Sequence, residues 1–158
     1  MKKIILLFLV LILTLSLWAE NELPHYGTTL HVGGSGSLLE LEYQYRFFIN
    51  DKHAFSASVA INTVGFNIGF PVGLNYTYGH KNQLFVGLRF VPNILFDSFD
   101  EEVDVPFWSY LANFRIGYGR ELVLSKQNYT LYVYLSPFMN VESGMVLPWA
   151  GVGLTHYF

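Results

Sequence analysis

The segment Leu39-Glu-Leu-Glu-Tyr-Gln-Tyr-Arg-Phe47 alternates strictly between apolar or aromatic residues and polar or charged ones. Successive side chains of a β-strand point to opposite faces, so Leu39, Leu41 and Tyr43 would share one face while Glu40 and Glu42 share the other. This period-2 pattern predicts a strand with one face in apolar surroundings and one face in a polar environment.

The same alternation recurs along the chain between short runs of turn residues. It predicts strands at residues 28–34, 38–48, 55–62, 66–78, 83–90, 110–119, 129–136 and 149–158. Eight is an even number, as in bacterial single-chain barrels, and we therefore expect an all-β, eight-stranded antiparallel up-and-down transmembrane β-barrel. Pro71 lacks the donor that a neighbouring strand needs, so we expect a bulge there.

The connections should alternate between the two ends of the barrel. Turns around Asp51, His80 and Lys126 are short and are assigned to the periplasmic end, together with both termini. The other connections, at residues 33–36, 62–65, 91–107 and 140–146, are assigned to the outside, where the longest loops of such barrels lie. The stretch 91–107 is expected to be irregular throughout.

Charged residues in the middle of the predicted strands decide which face is which. Arg or Lys on the lipid face at mid-bilayer costs about 2–4 kcal/mol, which directs the charged faces inward and the Leu, Val, Ile, Phe and Tyr faces outward. An aromatic girdle is then expected near the periplasmic end, as is usual at membrane interfaces. It would include Tyr76, Tyr78, Tyr118 and Phe158.

A soluble, lipocalin-like barrel with apolar side chains inside is the alternative fold. Its surface would consist mainly of Gly, Asn and Ser, because only 13% of the residues are charged, against about 25% in ordinary soluble domains. Such a surface is poorly soluble, so the pattern favours the membrane barrel.

Residues 1–19 resemble a secretory signal peptide. Lys2 and Lys3 precede an uncharged run from Ile4 to Leu17, and Ala19 is a plausible cleavage position. A membrane anchor is the alternative, but the run is shorter than the roughly 20 apolar residues that span a bilayer as a helix. Residues 20–158 would form the outer-membrane β-barrel domain.

The composition excludes several functional classes. With Lys2 and Lys3 removed, seven of the nine basic residues remain against twelve acidic ones, and no basic patch suggests nucleic acid binding. The absence of cysteine excludes disulfides and Cys-based metal sites or nucleophiles. We expect a monomer without cofactor or metal, in contact with outer-membrane lipid.

The final strand carries a resemblance of its own. Gly153, His156 and Phe158 look like the terminal signal that barrel-assembly machinery recognises during outer-membrane biogenesis. More widely, the segments 43–47, 70–76 and 148–153 make the chain similar to small outer-membrane β-barrel proteins of Bacteroidetes-like bacteria. The resemblance implies a fold and a location in the outer membrane, and it implies no activity.

Two sets of residues are candidates for function. The first is a lumen ion-pair network, since the interior of an eight-stranded barrel is only wide enough for side chains and opposed charges there should pair. Its members would be Glu40, Glu42, Arg46, Arg89, Arg115 and His31. The network would either plug the barrel or, through exchanged pairs, gate a narrow ion path.

The second set is an acidic loop with five carboxylates, Asp97, Asp100, Glu101, Glu102 and Asp104. Oxygen ligands of this kind suit Ca²⁺, but the loop lacks the spacing of an EF-hand, which favours a solvated surface loop. His31 beside a carboxylate and Ser35 or Ser37 would suggest a lipid-modifying hydrolase, but no Ser lies in a recognisable nucleophile turn.

The sequence therefore predicts a non-enzymatic outer-membrane barrel with a plugged polar lumen and a structural or surface-interaction role. A narrow pore for ions or small solutes and a lipid-modifying enzyme are the two alternatives.

Overall fold

The computed structural model describes residues 25–34, 37–50, 52–63, 67–95, 107–124 and 127–158. The predicted signal peptide at residues 1–19, the acidic loop at residues 97–104 and Ser35 lie outside these residues.

The described residues form eleven strand segments and a single antiparallel sheet. The segments are β1 (Tyr26–Gly33), β2 (Leu39–Ile49), β3 (His53–Thr63), β4 (Asn67–Gly69), β5 (Val72–Gly79), β6 (Asn82–Leu95), β7 (Phe107–Leu124), β8 (Gln127–Leu135), β9 (Phe138–Asn140), β10 (Val146–Leu147) and β11 (Ala150–Tyr157). No helix long and apolar enough to cross a membrane occurs in the described part of the chain.

The sheet closes on itself, because β1 pairs with both β2 and β11. Three short segments extend longer neighbours: β4 precedes β5 on one barrel strand, β9 follows β8, and β10 precedes β11. The result is the predicted eight-stranded up-and-down barrel, in which each strand pairs with its neighbours in sequence. Reciprocal hydrogen bonds between the backbones of Tyr26 and Phe158 complete the closure. We call the end of the barrel where His25 and Phe158 lie the terminal end.

The two faces of the barrel have the predicted chemistry. Leu41 is 52% exposed on the outside, whereas Glu42, the next residue, is 3% exposed and points into the lumen. Large apolar side chains from every barrel strand are exposed in the same way, and the buried residues are mainly Ser, Thr, Asn, Gln, Glu and Arg. The barrel therefore has an apolar exterior and a polar interior, which excludes the lipocalin-like alternative with its apolar core.

The expectation that residues 91–107 are irregular throughout is wrong at both ends. β6 continues to Leu95, and β7 begins at Phe107. Pro92 lies in this extension and still accepts a hydrogen bond from the Phe70 nitrogen. The amide and carbonyl of one strand residue point to the same side, so the missing donor of Pro92 faces the gap between β4 and β5, where little pairing is lost.

The bulge expected at Pro71 is also absent. Gly69 pairs with Asn93 and Val72 pairs with Phe90, so the register is the same on both sides of the proline. A register shift occurs instead between Arg46 and Phe48. An extra residue on a strand lets two successive side chains point the same way, and the shift places Phe47 and Phe48 together on the outside.

Candidate functional site

The centre of the lumen contains a charged layer, which we define as Glu40, Glu42, Arg89, Arg115 and His31. The two glutamates lie two positions apart on β2 and therefore share its inward face. Arg115 lies on β7, four strands from β2 in a ring of eight and thus on the opposite wall. Because the charges come from opposite walls, their contacts cross the full width of the barrel.

Both arginines contact both glutamates. Arg115 Nη2 lies 3.1 Å from Glu40 Oε1, and its Nη1 lies 3.4 Å from Glu42 Oε2. Arg89 forms ion pairs with the same two carboxylates. All four side chains are almost fully buried, and two positive charges balance two negative ones. A buried ion cluster is tolerated when its charges are paired, and here each arginine faces both carboxylates, although Glu40 Oε2 and Arg115 Nε have no hydrogen-bond partner among the described residues.

His31 and Tyr134 extend the charged layer around the wall. His31 Nε2 lies 2.6 Å from Glu42 Oε2, and His31 Nδ1 lies 3.0 Å from the Tyr134 hydroxyl. Arg115 Nη2 donates to that hydroxyl at 3.0 Å. Arg115 is only a donor, so the Tyr134 hydroxyl accepts from it and has two acceptors within reach for its own proton, His31 Nδ1 and the Gly33 carbonyl at 3.3 Å.

Glycines on the last strand make room for this arrangement. A Cβ atom at Gly153 would lie 2.5 Å from His31 Nδ1, and one at Gly151 would lie 2.6 Å from the Tyr134 hydroxyl. Sequence reasoning did not single out Tyr134. Two features of the sequence could have identified Tyr134. It has the inward parity on β8, and the inward positions 151 and 153 of the neighbouring strand β11 are both glycine, which leaves space for a large side chain.

A second polar layer closes the lumen nearer the termini. Gln44 Nε2 donates to the Tyr157 hydroxyl at 3.2 Å, the hydroxyls of Tyr157 and Tyr132 are 3.1 Å apart, and Tyr132 donates to Gln83 Oε1 at 2.7 Å. These residues come from four different strands. The space between the two layers is a small cavity of about 30 Å³.

Arg46 does not lie in the charged layer, although its parity is inward. Its guanidinium carbon lies 3.3 Å from the centroid of the Tyr157 ring. Within the described residues, no carboxylate lies within ion-pair distance of Arg46. The structure thus brings together five of the six predicted network residues and places the sixth beyond the second polar layer.

The lumen offers little support for hydrolase or metal chemistry. The Ser37 hydroxyl donates to the carbonyl of Gly34, whereas the two ring nitrogens of His31 contact Glu42 and Tyr134. Ligand atoms of His31, Glu40 and Glu42 lie within 4.8 Å of one another, as a metal site would require. Both carboxylates, however, already face two arginines, which fill the position that a cation would take.

Two of the residues expected to form a terminal assembly signal, Gly153 and His156, lie on β11, the strand that closes the barrel, and Phe158 directly follows it. Gly153 faces the lumen and pairs with His31 on β1 and Tyr132 on β8. The ring of His156 lies between those of Tyr129 and Phe158, with centroid distances of 4.9 and 6.0 Å. Gly153 thus serves interior packing, and His156 and Phe158 belong to a band of aromatic side chains at the terminal end.

The fold is similar to one solved structure in particular, the N-terminal β-barrel domain of OprF from Pseudomonas aeruginosa. The two share 14% sequence identity with a TM-score of 0.58, over 84% of this chain and 96% of that chain. At this identity the similarity shows the fold alone. No family model matches the chain, and no curated protein matches it in sequence. The narrower resemblance to Bacteroidetes-like barrel proteins therefore remains an expectation.

Proposed function

We propose that the protein is a non-enzymatic outer-membrane β-barrel whose lumen is closed by the charged layer and whose role is structural. The apolar exterior carries the membrane assignment. Leu41, Leu74 and Leu88 are each more than half exposed, and such a surface around a closed barrel is stable only against hydrocarbon.

The short turns at the terminal end support an orientation with that end in the periplasm, since the longest loops of such barrels lie outside, and aromatic residues mark the membrane interface there. Tyr78, Tyr118 and Phe158 are between 43% and 54% exposed on the outer surface, at the end of the barrel where His25 and Phe158 lie. Tyr and Trp favour the level of the lipid headgroups. The loops at the other end, including the acidic loop, would then face the cell exterior, where we propose that they take part in surface interactions.

Cell fractionation tests the location. The protein should be recovered in outer-membrane fractions and should migrate differently on gels before and after heating, because a folded barrel resists detergent. Recovery as a soluble periplasmic protein without heat-modifiable migration would contradict the proposal. Cleavage after Ala19 is a separate proposal, which N-terminal sequencing of the exported protein tests.

A narrow ion path is the second candidate function, and one observation favours it. Arg89 and Arg115 each contact both glutamates, so the pairs could exchange without leaving a charge unpaired. Conductance in planar bilayers separates the two functions: a plugged barrel should be silent, and a gated pore should show discrete openings. In a plugged barrel, Glu42→Ala should introduce openings, whereas Glu142→Ala in the exposed hairpin after β9 should not.

A further inference from the structure

A polar vestibule lies inside the terminal end of the barrel. Its volume is about 440 Å³, and the residues that line it include Arg46, Thr77, Gln83, Glu121, Asn128 and Tyr157. It is separated from the charged layer by the hydrogen-bonded chain from Gln44 through Tyr157 and Tyr132 to Gln83. The vestibule therefore lies on the terminal side of this hydrogen-bonded chain, and the charged layer lies on the other side.

Arg46 is the one arginine that lines this vestibule among the described residues. The residue is 9% exposed, and no carboxylate of the described residues lies within ion-pair distance of it. The stem of Arg46 is buried, but its guanidinium faces the vestibule, and a planar guanidinium is suited to carboxylate and phosphate oxygens, which it can bind through two parallel hydrogen bonds. The environment of Arg46 thus lacks the anion that its chemistry favours.

The guanidinium is also held in place. One face of it covers the Tyr157 ring at 3.3 Å, and the hydroxyl of that ring is fixed by hydrogen bonds with Gln44 and Tyr132. Gly27 leaves room for the ring, since a Cβ atom there would lie 2.7 Å from it. Stacking on an aromatic ring restrains an arginine while its N–H donors stay available at the edge of the group.

Among the described residues that line the vestibule, Glu121 is the one with a carboxylate, and it lies far from Arg46. It lies on β7, on the wall opposite β2, and its Oε2 is 3.9 Å from His80 Nδ1. A negative ligand at Arg46 would therefore be kept away from Glu121 by the width of the lumen. Hydroxyl and amide groups of Thr77, Asn128 and Thr130 line the space between the two walls.

We infer that the vestibule is a binding site for a small oxyanion, with Arg46 stacked on Tyr157 as the group that binds it. The ligand class is a phosphate or carboxylate that enters from the end where the termini lie. This site is independent of the plugged charged layer, and it does not require the barrel to conduct.

Phosphate titration of the full barrel in maltoside micelles tests the site. Phosphate should shift the Arg46 Nε–Hε resonance saturably, while that of Arg120, which is exposed on the outside at the same end, should change little. Arg46→Gln should weaken binding at least about tenfold, because it removes a charge-assisted, two-point contact. Arg120→Gln is the matched control and should leave the affinity unchanged.

Arg46→Lys keeps the charge but loses the planar donor pair, so it should bind phosphate more weakly than wild type and more tightly than Arg46→Gln. Heat-modifiable migration shows whether each variant is folded. A parallel titration with micelles containing phosphatidylglycerol distinguishes the sources: a saturable shift with the lipid alone would identify the oxyanion as a headgroup phosphate. The site is refuted if neither probe shifts Arg46, or if Arg46 and Arg120 respond equally.

Discussion

Arg115 Nη2 and Glu40 Oε1 are 3.1 Å apart, although the residues are separated by 75 positions in sequence and stand on opposite walls of the barrel. Neighbouring strands of the barrel are already held together by backbone hydrogen bonds. β2 and β7 are not neighbours, and this ion pair joins them through the centre of the lumen. The pair therefore holds opposite walls of the barrel together directly.

Removing one charge of the charged layer should destabilise the barrel strongly. Glu40→Gln keeps the shape of the side chain but leaves Arg89 and Arg115 with a single carboxylate between them. Loss of one partner from a buried ion pair typically costs about 3–5 kcal/mol. Urea unfolding of the barrel in lipid vesicles would measure the loss. Glu142→Gln, on an exposed turn, is the control, and equal stabilities of the two variants would show that the charged layer is not stabilising.

The hydroxyl group of Tyr134 should stabilise the charged layer. The hydroxyl contacts Arg115 and His31, both at 3.0 Å, and Tyr134→Phe would leave two buried polar groups without that partner. We expect the free energy of unfolding to fall by about 1–3 kcal/mol. Tyr118→Phe removes an exposed hydroxyl that bonds to Asn82 and should change it by less than about 0.5 kcal/mol. A Tyr134→Phe barrel as stable as wild type would show that these hydrogen bonds of Tyr134 do not stabilise the barrel.

Most of the fold could be predicted from the sequence because the side-chain period of a strand is local. The alternation from Leu39 to Phe47 settles which residues face inward, and the cost of a charge in hydrocarbon settles which face is inside. The ends of the strands were less predictable, since the position where a strand ends depends on how far its neighbour continues to pair with it. Pro92 would end an isolated strand, but here the barrel leaves its missing donor opposite a gap between β4 and β5.

The charged residues of the candidate site could be predicted from the sequence, but Tyr134 and the division of the lumen into two layers could not. Parity places Arg46 and Arg115 alike in the lumen, yet Arg46 stacks on Tyr157 whereas Arg115 contacts Glu40. The difference depends on the stagger of the strands around the ring, which positions residues at different heights along the barrel axis. That stagger is set by pairing registers across the whole sheet, and no single segment encodes it.

Gly153 should resist replacement even by alanine. Glycine within a strand usually weakens it, so an added methyl group would be expected to help. Here the Cβ atom would lie 2.5 Å from His31 Nδ1, and His31 is fixed between Glu42 and Tyr134. We expect Gly153→Ala to lower the free energy of unfolding by about 1–3 kcal/mol, as overpacking does. Ala150→Val, on the outward face of the same strand, should be nearly neutral. The reverse order of effects would mean that His31 is free to move.

The lipid-facing assignment predicts that an added charge is costly only at the middle of the barrel wall. Leu88 is 64% exposed near the centre of β6, and Leu84 is 59% exposed on the same outward face, nearer the terminal end of that strand. In vesicles, Leu88→Arg should lower the free energy of unfolding by about 2–4 kcal/mol and Leu84→Arg by about 0–1 kcal/mol, because the penalty falls toward the interface. Exposure alone cannot produce this difference, since the two side chains are almost equally exposed. Equal penalties at the two positions would indicate that water, rather than hydrocarbon, surrounds Leu88.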